Sequence, residues 1–598
     1  VSSPQQNAPA HWFWCPLLKL HANVWAKTTW TKTFLTAACL IAGAAQPGRA
    51  QTAPLNPLLD VGVVQRFGSN ATDQITIKPE AGDRLTLKLK DGQQEQVLIT
   101  SGEVKINAVM QPLPQPEVVE RIVLSTHRSF ESAEDSANRW KAEGIEVEIG
   151  QPRQWQVWAD RETYRTPLLR RLLLQNLQAQ GARTAFIDTQ VKPQIPKAAL
   201  TVEGYRYQQD QVEIDTANDR IQVAFNRSDH GTRLYAGTLR LQPNAYGTYT
   251  LVNQVPIETY LRGVVPHEIG VGAPPTTIEA QAILARTYAL RNLRRFAIDN
   301  YQLCADTQCQ VYWGLSGADP ETDRAIAATR GLVLTYENEL VDALYSSTTG
   351  GVTARFSDVW AGSDRPYLQS VVDSVQNIWN LSERSLANES NFRAFIAQRR
   401  GFNEEGWDMF RWRVESPMSE ITNDLRQVLA TKKHPFANFT QIQELNVVER
   451  SPAGRVQKMA VTTDLGIVEL EKDEIIRALS APNSTLFYLD PIYETAQGQK
   501  GSQLTEKPAI KTGDQKTAQA KQVASSPSRV LKGYVFVGGG LGHGVGMSQT
   551  GAYRLGDLGW AHSRILSFYY PGTQLQPLTP AIVLWRDPSD SNTSRTAQ

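Results

Sequence analysis

Cysteine is scarce in this chain, four in 598 residues, and so few thiols cannot form the disulfide framework of a small secreted scaffold. A charge excess of one sign is also missing. The 61 basic and 60 acidic residues give a formal charge of +1 with no long block of either sign, so a surface built to neutralise many phosphates is not expected, and neither is a nucleic-acid partner. There are 8 histidines and none between 268 and 433, so no cluster of histidine and glutamate supplies the three ligands and base of a zinc amidase. No G-x-S-x-G surrounds the serines at 346 and 347, which excludes a nucleophile-elbow hydrolase there. What is present is 41% apolar residues, enough over this length for on the order of two to four domains.

The first fifty residues read as an export signal. Lys27 and Lys32 precede the apolar run TFLTAACLIAGAA, and GRAQT places Gly48 and Ala50 before a cleavage point at Gln51. The run is short for a bilayer span, and an internal start at Val24 would leave a signal of ordinary length. Export to the periplasm or cell wall is expected, or retention at the membrane if the signal is not cleaved. Cleavage would remove Cys15 and Cys39 and leave Cys304 and Cys309.

Residues 60–115 alternate with period two and predict a small β region. Residues 118–190 repeat strand, helix, strand twice: ERIVLSTHRSF, SAEDSANRWKAEG, IEVEIG, then WQVWADRE, TPLLRRLLLQNLQAQG, ARTAFID. This pattern resembles the SPOR domain, a peptidoglycan-binding module. An unrelated ferredoxin-like unit would read the same way. In the SPOR reading the open sheet face receives a glycan, with Trp155 and Trp158 as stacking residues. VKPQIPKAAL marks a linker near 191–199, residues 495–528 have almost no large apolar side chains and read as a disordered linker, and 579–598 as a flexible tail.

The stretch VPIETYLRGVVPHEIG, 255–270, sets Glu258, His267 and Glu268 in an apolar run. Beyond it, Thr276 and Glu279 have capping-box spacing, so a helix is expected to start there, with Glu268 on the loop before it. Ile278, Ala282, Ala285 and Ala289 form a stripe of close-packing residues.

VNQVPIETYLRGVVPHEIG with EAQAILARTYAL is similar to the signature of the SpoIID/LytB family, the stage II sporulation protein D and amidase-enhancer group. RGLVLTYENELVDALYSSTTGG, FRWRVESPMSEI and GGLGHGVGMSQTGAYRLGDLGWAHSRILSFYYPGTQL resemble further family blocks. The resemblance covers roughly residues 200–380, 405–490 and 530–578, within a SpoIID/LytB domain at 200–578 interrupted by the linker 495–528. It implies an α+β, multidomain fold: a SpoIID-like mixed α/β core with a catalytic groove, preceded by the small β region and a ferredoxin-like SPOR-type domain.

The resemblance also implies a lytic transglycosylase, a lyase that cleaves the MurNAc-GlcNAc bond and leaves 1,6-anhydro-MurNAc, with Glu268 as general acid and then base. Glu258 and Glu279 are weaker candidates. Gly270 replaces the proline usual after the family motif, and His267 and Ile269 flank the glutamate. Gln281, Arg286, Tyr288, Ser347, His543 and Gln549 would bind substrate. Ser346 stands where relatives often have histidine, and Gly542, Gly544 and Gly546 would let backbone approach a sugar ring or the catalytic loop. No cofactor is expected. Partners would be peptidoglycan glycan strands and an amidase, and the alternative function is a non-catalytic, peptidoglycan-binding activator of an N-acetylmuramoyl-L-alanine amidase. Some family members bind zinc near Cys304 and Cys309. In an exported protein a disulfide is the simpler expectation, with a metal site or free thiols as alternatives.

Overall fold

The structure is a computed structural model that describes residues 55–91, 94–182, 184–227, 231–432, 434–495 and 529–586. The export segment and nearly all of the 495–528 linker lie outside the described residues.

The alternating residues form strands Leu58–Phe67, Gln74–Pro79, Leu85–Asp91 and Gln94–Thr100. They do not make a sheet of their own. Leu58–Phe67 pairs antiparallel with Tyr249–Pro256, Gln74–Pro79 with Ile221–Phe225, and Leu85–Asp91 with Val212–Thr216. Two sheets built from both stretches share one core that includes Val61, Ile77, Leu87, Ile214 and Leu251.

The expected linker at 191–199 is instead part of a strand. Phe186–Val202 pairs with Val104–His127 from Val104 opposite Val202 to Val123 opposite Phe186. A two-stranded ribbon leaves one edge of each strand open, so prolines such as Pro193 and Pro196 are tolerated without breaking the ladder.

At its far end the ribbon becomes the 118–190 unit. Its strands run in the order Phe186–Val202, Val104–His127, Trp155–Ala159, Val147–Gly150, all antiparallel. Helices Phe130–Ala142 and Pro167–Ala179 cross over, capped by the side chains of Ser129 and Thr166. This is a split β-α-β arrangement. The expected open face with stacking tryptophans is absent from it. Trp155 is 2% exposed and packs edge-on to Phe130 and against Phe296, each at 5.2 Å, while Trp158 is 0% exposed beneath the Arg121 guanidinium and beside Tyr246. Alternation sends the two indoles to opposite faces, and both faces are covered.

Helix Pro275–Arg291 lies at the centre of the chain, with nearly every residue buried. Ile278, Ala282, Ala285 and Ala289 face the β core, and Ala280, Ile283, Leu284 and Tyr288 face a second core with the carboxy-terminal helices Gln549–Asp557 and His562–Tyr569. With apolar residues facing a core on both sides, the helix is internal. Its start is set by Pro274 and Pro275 without a side-chain cap, and Glu279 bonds Nδ1 of His562 at 2.8 Å, so the capping box does not form. A third core joins strands and helices of 412–489 to strand Arg529–Gly538. The beginning of the expected tail is also anchored: Ile582 packs in the β core and Val583 accepts a hydrogen bond from the Leu340 amide at 2.9 Å.

Candidate functional site

Glu268 is the last residue of helix Ile257–Glu268 rather than a loop residue, because Tyr260, Leu261, Val264 and Val265 bury that helix against the β core. Its carboxylate Oε1 accepts the Val311 N–H at 2.7 Å. Burial pushes its pKa up, against the opposing pull of the Val311 amide and the Tyr345 and Gln549 side chains. Position at a helix C-terminus also disfavours the ionised form.

Glu268 opens on a cavity of about 690 Å³. Tyr288, Ser347, His543 and Gln549 line it too, so residues from four distant segments meet there. The meeting depends on a short parallel pairing of Tyr345–Ser346 with Met547–Ser548. Gln549 donates to the Glu268 backbone carbonyl at 2.9 Å and to Gln281 Oε1 at 3.4 Å. Gln281 is fully buried behind Gln549 and does not line the cavity. Ser346 is 7% exposed on the wall, and its hydroxyl has no hydrogen-bond partner.

Arg286 is not in the cavity. It is 0% exposed and forms a two-pronged ion pair with Glu258, both contacts at 2.8 Å, while also donating to the Leu332 carbonyl at 3.0 Å. A planar guanidinium with three fixed acceptors in a core is a strut between helices. The pair also removes Glu258 from candidacy as an acid.

His543 accepts the Val545 N–H on Nδ1 at 3.0 Å and packs on Trp360 with ring centroids 5.0 Å apart. Burial, with help from the Arg455 charge, lowers its pKa to about 4, so it is neutral at neutral pH. The neighbouring glycines serve the protein more than a sugar. Gly544 and Gly546 both have positive φ, and a side chain at either would collide with the Arg455 guanidinium or the Leu344 carbonyl.

Cys304 and Cys309 are joined in a disulfide. It is not a surface loop: Cys304 is buried, Cys309 lines the cavity, and the loop ends at Val311, the partner of Glu268. Among the described residues no group of histidine, cysteine and acidic side chains is placed to hold a metal.

Sequence reasoning missed a wall of the cavity. Arg128, Phe130, Glu131 and Trp155 come from the 118–190 unit, and Asp473 and Arg477 from helix Asp473–Leu479. The unit is held in place by ion pairs of Arg294 with Glu134 and Arg295 with Glu131. Nothing in the local sequence pointed to these contacts, since charged residues on short helices ordinarily face water.

Residues 245–336 match a family model described as stage II sporulation protein, and residues 354–506 one described as a domain of unknown function (DUF8618). Neither match reaches 118–190. The chain is 26% identical over 321 residues to the amidase enhancer of Bacillus subtilis (strain 168), covering 53% of this chain and 40% of that protein's length. It is 26% identical over 359 residues to stage II sporulation protein D of Bacillus subtilis (strain 168), covering 57% and 81%, and 24% identical over 357 residues to stage II sporulation protein D of Bacillus amyloliquefaciens, covering 56% and 80%.

These relatives overturn the expectation of a lytic transglycosylase and of a lyase reaction at Glu268. One is named as a helper of an amidase, and none is named for cleaving glycan. The raised pKa of Glu268 needs no reaction to explain it, because burial at a helix terminus raises a carboxyl even where a backbone amide such as that of Val311 opposes the shift. The matches, covering 245–336 by family model and more than half of the chain by relatives, support membership of the SpoIID/LytB, or amidase-enhancer, family.

Proposed function

We propose that this protein is a non-catalytic, peptidoglycan-binding activator of an N-acetylmuramoyl-L-alanine amidase, working outside the cytoplasm at the cell wall. The observation that carries this reading is the similarity to a protein named amidase enhancer, together with a family-matched segment, 245–336, that builds the floor of the cavity. Tyr288, Tyr345 and Trp360 line the cavity with aromatic side chains and Ser347 and Gln549 with polar ones, the mixture that suits a saccharide.

The test adds the full chain to insoluble peptidoglycan and a purified zinc N-acetylmuramoyl-L-alanine amidase. Stem-peptide release should accelerate, the chain should sediment with the wall material, and Ser347→Ala with Gln549→Ala should weaken both effects. No acceleration at saturating chain, or soluble glycan fragments released by the chain without the amidase, would overturn the reading.

A further inference from the structure

Outside residues 245–336 the cavity is lined by two further arginines, Arg128 and Arg477. Arg128 directly follows strand Val104–His127 and precedes the Ser129 cap of helix Phe130–Ala142, so its backbone is fixed by both elements. Arg477 comes from the facing helix Asp473–Leu479. Both line the cavity. Among the described residues neither guanidinium makes a hydrogen bond or an ion pair, and Arg128 Nε is buried without a partner. Buried arginine nitrogens are ordinarily bonded; Arg66, Arg121, Arg170, Arg233 and Arg455 also carry unpartnered ones, but none of these five lines the cavity.

The surrounding acids do not satisfy them. Glu131 is held by Arg295 and Glu474 by Lys432. Asp473 is near enough to feel both arginines but bonds neither, and burial pushes its carboxyl up to about 6. Burial, and after it the Arg477 charge, lower the pKa of Arg128, with Glu474 and Asp473 acting in the opposite direction. Two cations facing one cavity from separate elements would be relieved by an anion between them.

We propose that Arg128 and Arg477 form a carboxylate subsite in the cavity, so that the 118–190 unit and helix Asp473–Leu479 select charged, muramic-acid-containing glycan over uncharged glycan. The proposal rests on the glycan-binding reading above and deepens it. Peptidoglycan offers a carboxylate from two sources: the stem peptide, or the lactyl group of muramic acid once the peptide is gone. An arginine pair recognises either, through charge-assisted hydrogen bonds to the two oxygens.

The experiment measures binding of the full chain to three glycans: soluble strands with stem peptides, strands with the peptides removed, and an N-acetylglucosamine oligomer, which has no carboxylate. Replacing both residues, Arg128→Gln with Arg477→Gln, should weaken binding to at least one carboxylate-bearing strand by roughly tenfold to a hundredfold. Binding to the uncharged oligomer should stay unchanged. Arg128→Lys with Arg477→Lys should recover part of the loss, which an effect on folding alone would not produce. Loss confined to the peptide-bearing strand identifies the stem peptide as the source, and loss on the bare strand identifies the lactyl group. Equal loss on all three glycans, or none on any, overturns the subsite while leaving glycan binding in place. Failure of the unaltered chain to bind any of the three overturns the underlying reading instead.

Discussion

Glu268 shows how one residue's surroundings can imitate catalysis. A carboxyl with a raised pKa at a cavity is what a general acid requires, yet burial at the end of a packed helix raises it by itself, even while the Val311 amide pulls it down. If the role is structural, Glu268→Gln, which keeps an acceptor for Val311, should leave amidase stimulation within about twofold, whereas Glu268→Ala should lower stability by about 1–3 kcal/mol through the orphaned amide. Chemical denaturation with the stimulation assay separates the two. A carboxyl raised in the folded state costs stability as pH rises above its ordinary value near 4.5, so the Gln variant should gain on the parent from acidic to neutral pH. His543 has the opposite dependence. Its folded pKa near 4 lies below the ordinary 6.5, so its contribution is complete above 6.5 and is lost as pH falls toward 4. Melting curves across that window should fall less steeply for His543→Gln than for the parent.

At the scale of elements, buried polar groups hold the cavity wall in register. Glu404 accepts from the Thr349 N–H at 2.5 Å, the Thr349 hydroxyl at 2.8 Å, the Gly351 N–H at 2.8 Å and the Ser548 hydroxyl at 2.5 Å, tying the Thr349-Gly351 turn to the strand Met547–Ser548. Glu404→Ala should therefore cost at least about 3 kcal/mol in urea unfolding, since several buried donors lose one acceptor together. Its neighbour Asp373 is buried and pushed well above the carboxylate range by burial and by the Glu404 charge. Asp373→Asn keeps a neutral group there and should be tolerated, where Asp373→Ala should not. Arg286 is a comparable strut between the first turn of helix Ile257–Glu268 and helix Pro275–Arg291. Removing it as Arg286→Ala should cost about 3–5 kcal/mol by leaving Glu258 unpaired.

For the whole molecule, the 118–190 unit is a wall of the site and not a tether on a linker. Val118 and Val191 face each other across the ribbon, so the unit can be replaced by a short turn between them. That deletion uncovers Phe296 and Tyr301, which pack in the same cluster as Phe130 and Trp155. The shortened chain should melt earlier and lose about 3–5 kcal/mol, the usual cost of stripping a large aromatic of its packing. An unchanged melting curve would show the unit to be independent.

Local pattern alone determined much of this protein. The alternation in 58–100, the strand and helix sequence of 118–190 and the small-residue stripe of helix Pro275–Arg291 were legible because each rests on side-chain periodicity within one element. The meeting of Glu268, Ser347, His543 and Gln549 was legible only through family resemblance, since they lie in distant segments. Tertiary structure decided the rest. Whether Arg286 lines a cavity or pairs with Glu258, which partner the strand at 191–199 finds, and whether Trp155 is open or covered all depend on what another part of the chain places opposite. The partners in these cases are far apart in sequence, Glu258 from Arg286 and 191–199 from the strand Val104–His127, so no short window along the chain contains both.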